Sequence, residues 1–373
     1  MRLLLVDSVP LTYGGGYERF LMSFGRMAAH RGHDVLLITP AAGALAHLAR
    51  LSGMSVTQGL SSVDVEREAS PGRVSGVGLR EAKSFAAGAD VLYVKNEPHE
   101  LALARFLLGH RAKLVVGLHS ATEGRPGIGG RLRARAYRSR AYRLLAHQVS
   151  AFHALQPQQI GFLVHHLRVA RSKIWLIPNG IDLQRFVPPT VRLRDRAFRI
   201  LFAGRLDPQK GTDIFLKSLD SIRHNGGSVD VTVAGEGPLR SLVESVASRM
   251  PNVTFVGYHA DPSQLYASHD LLVAPSRWEV FPLVPCEAMA CGLPVVLSDI
   301  PANRPFRGTD ATALCQVESP ESVAAAIDER IDLSRHHPDA YEELRNSARR
   351  FAEQHLDQRA TLTTLIANLE SIA

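Results

Sequence analysis

Residues 198–211, Phe198-Arg199-Ile200-Leu201-Phe202-Ala203-Gly204-Arg205-Leu206-Asp207-Pro208-Gln209-Lys210-Gly211, read as a strand that runs into a glycine and then into a loop carrying two cations. Apart from Arg199, the run from Phe198 to Ala203 is apolar throughout, which is the pattern of a strand covered on both faces, as in a parallel sheet. Gly204 permits a tight exit, and a helix is expected from Gly211 to Arg223. Working outward, further strands are expected at Val229 to Ala234, Val253 to Val256, Leu271 to Ala274 and Val295 to Leu297, with helices at Pro238 to Arg249 and Pro285 to Ala290. The alternation of short apolar runs with helical segments is that of an open α/β sheet.

The same alternation occurs once before. Arg2 to Val6, Val35 to Thr39, Val91 to Val94, Leu114 to Gly117 and Ile174 to Ile177 are separated by stretches long enough for crossover helices. Pro178-Asn179-Gly180 is a strong turn, and Leu183 to Arg196 is a polar connector. The expected division is a first Rossmann-like domain over 1–185, a second over 186–355, and a terminal helix over 356–373 that packs back on the first. A chain of 373 residues is too long for one core to keep growing, which agrees with two domains. Two such α/β domains face each other across a cleft, where ligands meet the carboxyl ends of the strands.

Bulk properties exclude several classes. The formal charge of +7, from 43 Lys and Arg against 36 Asp and Glu, is modest at this length and indicates no nucleic-acid partner. Cys286, Cys291 and Cys315 have no metal-ligand spacing and no disulfide framework, so no metal ligands are assigned. The opening MRLLLVD reads as a first strand and not as a secretion signal, and no run approaches the ~20 apolar residues of a spanning helix. A cytoplasmic protein with at most peripheral contact at the inner face of a membrane is expected.

Arg205 offers a rigid fork and Lys210 a mobile point charge, a pair suited to the oxygens of a diphosphate. The second constellation is Ser276-Arg277-Trp278-Glu279-Val280-Phe281-Pro282-Leu283-Val284-Pro285-Cys286-Glu287. Glu279 falls in the loop after the Leu271 to Ala274 strand, and Glu287 falls on the following helix. The donor is expected at Phe281 and at the helix start, where amides of Leu283 and Val284 face a phosphate oxygen, although Pro285 removes a donor. Beside a diphosphate so bound, Glu287 can accept hydrogen bonds from ribose hydroxyls, and Glu279 is better placed for hydroxyls of a transferred sugar. Backbone groups around Val256-Gly257-Tyr258 can read either uracil or guanine.

Gly204-Arg205 with Lys210-Gly211, then Glu279 and Glu287 with seven residues between them, then Ala288-Met289-Ala290-Cys291-Gly292-Leu293-Pro294-Val295-Val296, resembles the retaining GT-B glycosyltransferases of the family 4 group. Gly235-Glu236-Gly237-Pro238 and Pro178-Asn179-Gly180-Ile181-Asp182 add weaker matches. The resemblance implies a retaining, metal-independent glycosyltransferase with no cofactor, whose co-substrate is a UDP- or GDP-linked sugar and whose acceptor hydroxyl belongs to a glycan, a small molecule or a lipid-linked saccharide. It casts Arg205 and Lys210 as the diphosphate pair, Glu287 as the ribose carboxylate and Glu279 as the contact to the donor sugar. The chain departs from the family at Val280 and Pro282, where glycines are common.

In the first domain, Tyr13-Gly14-Gly15-Gly16-Tyr17-Glu18 lets backbone approach a ligand closely, and lacks the dinucleotide-binding spacing. By resemblance, Gly15 and Gly16 face the diphosphate, and His119, just past Leu114 to Leu118, lies near donor sugar and acceptor. Its imidazole can orient a sugar hydroxyl or stabilise changing charge. Arg125, Arg131, Arg133, Arg135, Arg138, Arg140 and Arg143 are uninterrupted by any acid, and a helix over Gly130 to His147 would set them beside Leu132, Ala136, Tyr137, Ala141, Leu144 and Leu145. Such a helix suits an anionic membrane surface or a charged acceptor. Two rivals stand beside glycosyl transfer: a nucleotide-sugar epimerase of related fold, and a non-catalytic nucleotide-sugar-binding protein.

Overall fold

The computed structural model describes residues 1–6, 16–39, 55–58, 84, 86–98, 100–101, 104–105, 111–121, 127–190, 197–222, 228–259 and 261–373. The chain forms two compact units, one of Met1–Asn179 with Ala360–Ala373 and the other of Gly180–Arg359. Each is built on a parallel sheet.

In the first unit the strands are β1 (Arg2–Val6), β2 (Asp34–Thr39), β3 (Ser55–Gln58), β4 (Val91–Lys95), β5 (Lys113–Gly117), β6 (Ala151–Ala154) and β7 (Ile174–Leu176), in the spatial order β3-β2-β1-β4-β5-β6-β7. Side chains of successive residues leave opposite faces, so β1 supplies two cores. Leu4 and Val6 join Leu92, Val94, Leu114 and Val116 on one face. Leu3 and Leu5 join Val91, Tyr93 and Val115 on the other. That second face is closed by Phe20, Leu21 and Phe24 of the helix Gly16–His30 and by Leu362, Leu365, Ile366 and Leu369 of the helix Gln358–Glu370. The four C-terminal residues have the three- and four-residue spacing of a single helical stripe, and Arg31 Nη2 donates to Thr363 Oγ1 at 2.8 Å beside them.

The second unit repeats the plan with β8 (Phe198–Ala203), β9 (Val229–Ala234), β10 (Val253–Gly257), β11 (Leu271–Ala274), β12 (Val295–Ser298) and β13 (Thr312–Cys315), in the order β10-β9-β8-β11-β12-β13. Phe198, Ile200 and Phe202 face Val229, Val231, Val233 and Phe215, while Leu201 faces Leu272, Val295 and Leu297. The helix Leu283–Ala290 lies on the second of these faces, where Cys286, Ala288, Met289 and Ala290 are wholly buried. Small side chains there let the helix approach the sheet closely.

In both units the strand order reverses once, between β1 and β4 and between β8 and β11. The carboxyl edge at such a reversal is where open α/β sheets bind ligands. Three strands were absent from the sequence reading. Ser55–Gln58 is polar, and Ala151–Ala154 and Thr312–Cys315 are four-residue segments without a sustained apolar run.

Candidate functional site

At the carboxyl edge of the second sheet, three strands end on glycines whose backbones interlock. Gly204 N donates to Ala234 O at 3.1 Å, and Gly235 N donates to Gly257 O at 2.7 Å. Gly235 has φ +138°, and a Cβ there would stand 1.8 Å from the Gly204 carbonyl oxygen, so the loops after β8 and β9 close on each other only with glycine. Gly211, at φ +70°, is packed as tightly against Pro275, which brings the loop after β8 against the loop after β11. Backbone continues that contact, Arg277 N donating to Gln209 O at 2.8 Å.

Between these loops sit the cations. Asp207 caps the turn Pro208–Lys210 by accepting from Lys210 N at 3.0 Å. Its other oxygen holds Arg205 Nη1 at 2.9 Å, and Gln209 Oε1 holds Arg205 Nη2 at 2.6 Å, while 63% of the arginine side chain remains exposed. Lys210 Nζ lies 2.5 Å from Glu279 Oε1, which also accepts from Ser276 Oγ at 2.9 Å. Glu279 is nearly buried, so its charge needs this partner. Arg205 and Lys210 therefore stand on one turn, but they are held by different acids.

A third cation, Arg277, was given no role by the sequence reading. Its guanidinium meets Asp213 through two bonds of 2.7 and 2.9 Å, Glu318 through two of 2.5 and 2.8 Å, and the Pro208 carbonyl at 2.5 Å. All five N–H donors are engaged. Bonding to Arg277 is the main reason the Asp213 carboxyl lies below its ordinary range, and the arginine is in turn held more firmly protonated. Arg277 ties the two loops together. Its partners lie 64 and 41 residues away, beyond any local pattern.

Glu287 is on the helix Leu283–Ala290, 4% exposed, and accepts from Tyr266 Oη at 2.9 Å. The Leu283 amide, expected to be an orphan, donates to Phe281 O at 3.1 Å. Side chains of Val256, Phe281, Leu283 and Val284 pack against the core, so these residues present backbone at the sheet edge. Pro282 takes φ −84° at the helix N-cap, a value proline accepts, which accounts for a proline where the resembled family has glycine.

The first unit carries a different cluster at the ends of β4, β5 and β6. His119 Nε2 is 2.8 Å from Tyr93 Oη, Tyr93 Oη is 2.7 Å from His153 Nδ1, and His153 Nε2 is 2.8 Å from the Ile177 carbonyl. The His119 ring lies 4.7 Å from that of Tyr17 and 4.4 Å from that of Phe20. Burial drives the His119 pKa well below its ordinary value, with His153 and the Lys95 cation adding to the effect. Burial likewise brings His153 to about 4, opposed by its bond to Ile177. Beside the rings, Lys95 Nζ pairs with Glu100 Oε1 at 3.5 Å, and Ser120 Oγ donates to Glu97 Oε1 at 2.6 Å. Sequence reading found only His119 of this group. Gly16 begins the helix Gly16–His30, and Gly15 lies outside the described residues.

The single helix expected over Gly130 to His147 is two helices, Gly127–Tyr137 and Arg140–His147. Ser139 Oγ caps the second by accepting from Tyr142 N at 3.1 Å, and a chain leaving the helical path to make that cap cannot continue one helix. Tyr137 and Tyr142 turn into the core, while Leu132 and Leu144 are 62% and 66% exposed among the exposed Arg131, Arg135, Arg140 and Arg143. Arg125 and the side chain of Arg133 lie outside the described residues. Among the described residues, no group of three His, Cys, Asp or Glu could hold a metal ion, and no helix is long and apolar enough to cross a membrane.

Two family models match. Residues 14–185 match Glycosyltransferase Family 4, and residues 197–332 match Glycosyl transferases group 1. The chain is 27% identical over 387 aligned positions, covering 100% of itself and 97% of the other protein, to a GDP-mannose-dependent alpha-(1-6)-phosphatidylinositol dimannoside mannosyltransferase of Mycobacterium tuberculosis. It is 36% identical over 146 positions, 34% of this chain and 41% of the other, to the lipopolysaccharide core biosynthesis mannosyltransferase LpsB of Rhizobium meliloti. Among solved structures, Anabaena Alr3699/HepE in complex with UDP superposes with a TM-score of 0.78 at 22% identity, over 100% of both chains.

Proposed function

This chain belongs to the group 1, family 4 glycosyltransferases, and on that premise we propose how its residues move a sugar from a nucleoside diphosphate donor to an acceptor hydroxyl. The observation that carries the assignment is the turn holding an exposed Arg205 fork beside a Lys210 whose ammonium is paired with Glu279. In the free enzyme Glu279 neutralises Lys210. A diphosphate brings more charge than one carboxylate, so it takes Lys210 and Arg205 and releases Glu279 toward hydroxyls of the transferred sugar. Glu287, aimed by Tyr266, takes the ribose hydroxyls. The backbone at Val256 and Gly257 completes the donor contacts, with Val284 offering its amide at the helix start.

Charge accumulates on the diphosphate as the bond from anomeric carbon to phosphate oxygen breaks, and Arg205 and Lys210 stabilise it in place. The acceptor oxygen forms its bond to the same face of the anomeric carbon while its proton passes to the departing phosphate oxygen. The product keeps its anomeric configuration. The donor nucleotide is UDP or GDP.

The test is product analysis with UDP-glucose and GDP-mannose in parallel. Glycoside plus free nucleoside diphosphate is expected, and an altered free sugar nucleotide would instead mark an epimerase. Lys210→Ala should lower kcat/KM by about 100-fold, equivalent to about 2.7 kcal/mol of transition-state stabilisation. Near-normal turnover by the folded variant removes Lys210 from the chemistry.

For the acceptor we propose a lipid-linked or anionic molecule met at a membrane surface, the chain remaining peripheral on the cytoplasmic side. The support is the exposed Leu132 and Leu144 amid arginines, since apolar tips and cations together suit an anionic headgroup layer. The mycobacterial relative is itself named for a phosphatidylinositol acceptor. Sedimentation with anionic and neutral vesicles should show salt-sensitive binding to the anionic ones alone, lost when Arg131, Arg135, Arg140 and Arg143 become Gln. Equal, negligible binding to both defeats the membrane proposal and leaves glycosyl transfer untouched.

A further inference from the structure

The direction of every hydrogen bond in the Tyr93 cluster follows from one carbonyl. The Ile177 oxygen can only accept, so His153 Nε2, 2.8 Å away, donates. A neutral His153 then bears its lone pair on Nδ1, and Tyr93 Oη, 2.7 Å away, must donate into it. With its one hydrogen committed, the phenol oxygen accepts from His119 Nε2 at 2.8 Å. The opposite direction would require protons on both nitrogens of His153, a cation on a ring 1% exposed whose nitrogens meet a phenol and a carbonyl. We infer that Tyr93 and His153 are positioning residues that fix His119 as the neutral Nε2–H tautomer with a bare Nδ1, making it an acceptor for a substrate hydroxyl.

Of the two tasks open to this imidazole, orienting a hydroxyl or countering charge, the relay selects the first. Nδ1 has no hydrogen-bond partner among the described residues, so the lone pair is available. The groups facing the ring act in the same sense. Tyr17 and Phe20 pack their rings against it, and the Lys95 cation opposes a second proton. The sequence also leaves room for the relay at Gly117, where a Cβ would stand 2.1 Å from Tyr93 Oη and 2.7 Å from His119 Cδ2. Any other residue at 117 would push Tyr93 and His119 apart.

The inference rests on the reading of His119 as a sugar-side residue, but its test does not require turnover. Full-length protein with ¹⁵N-labelled imidazoles is measured at neutral pH, resonances being assigned with His119→Asn and His153→Asn. Protons are expected on Nε2 of both rings. A His119 that carries its proton on Nδ1, or both protons, overturns the inference. In Tyr93→Phe, checked for native folding by thermal unfolding, the His119 signals should move toward a mixture of tautomers, and turnover at saturating donor should fall about tenfold, the effect of one misdirected hydrogen bond. An unchanged His119 tautomer in this variant also overturns it. If the native chain shows the expected tautomer but transfers no sugar, glycosyl transfer fails and the relay stands. If it transfers sugar with the proton on Nδ1, the relay alone fails.

Discussion

The two units present the same strand order and opposite chemistry at their carboxyl edges. At the edge of the first sheet, the rings of Tyr93, His119 and His153 are joined by uncharged hydrogen bonds, next to a Lys95–Glu100 pair that is itself buried. At the edge of the second, Arg205, Lys210 and Arg277 stand on partly exposed loops, each against a carboxylate. The difference follows from water. Isolated charge is costly where water is excluded, so the imidazoles stay neutral and offer directed lone pairs. Loops that leave the sheet through glycines keep their cations near solvent, where an incoming anion can reach them. One edge suits neutral hydroxyls, the other a diphosphate.

Acidification should separate the edges most strongly. His153 titrates near 6.5 when unfolded and at about 4 in the fold. Between those values the unfolded chain binds the extra proton and the folded chain does not, so stability is full above about 6.5 and falls as pH drops toward 4. At 1.36 kcal/mol per unit the loss reaches about 3 kcal/mol for His153, and His119, shifted the same way by burial, adds to it. Asp213 in the second unit has a depressed pKa, so its contribution persists until pH falls below its ordinary 3.8. Hydrogen exchange from pH 7 to about 4.5, corrected for intrinsic rates, should show β4, β5 and β6 opening more readily while β8 and β11 change less. Equal changes at both edges would mean that the imidazoles are not held neutral by the fold.

What the sequence disclosed follows the same divide. The ionic edge was legible because its residues lie in two short runs around strands, Gly204 to Gly211 and Ser276 to Glu287, and a loop between a strand and a helix at a sheet reversal has few possible uses. Its internal pairing was not legible, since Lys210–Glu279 and Arg277–Asp213 join positions 69 and 64 residues apart. The neutral edge was nearly invisible. Tyr93 sits within an apolar strand and looks like core, and His153 sits on a four-residue strand that the pattern did not reveal. Only their convergence on His119 gives them a role, and convergence is tertiary. The broken Arg-rich helix failed for a local reason: the sequence reading followed the run of arginines and passed over Ser139 as a cap.

The finest test divides the two carboxylates of the ionic edge. Glu287 accepts from Tyr266, while Glu279 shares its Oε1 between Lys210 and Ser276. If Glu287 binds ribose, Glu287→Gln keeps the volume and an acceptor for Tyr266 but loses one charged acceptor. Intact donor and free nucleoside diphosphate should then weaken alike, by about tenfold or 1.4 kcal/mol. Glu279→Ala has a different expectation, because removing it frees Lys210 from a competing anion. Free nucleoside diphosphate should bind at least as well as to the native chain, and turnover should fall because the sugar has lost its carboxylate. Calorimetry with free nucleotide and steady-state kinetics with intact donor decide between them. A loss of nucleotide affinity in Glu279→Ala equal to that in Glu287→Gln would show that Glu279 supports the diphosphate site instead of competing with it, and the exchange of partners at Lys210 would have to be abandoned.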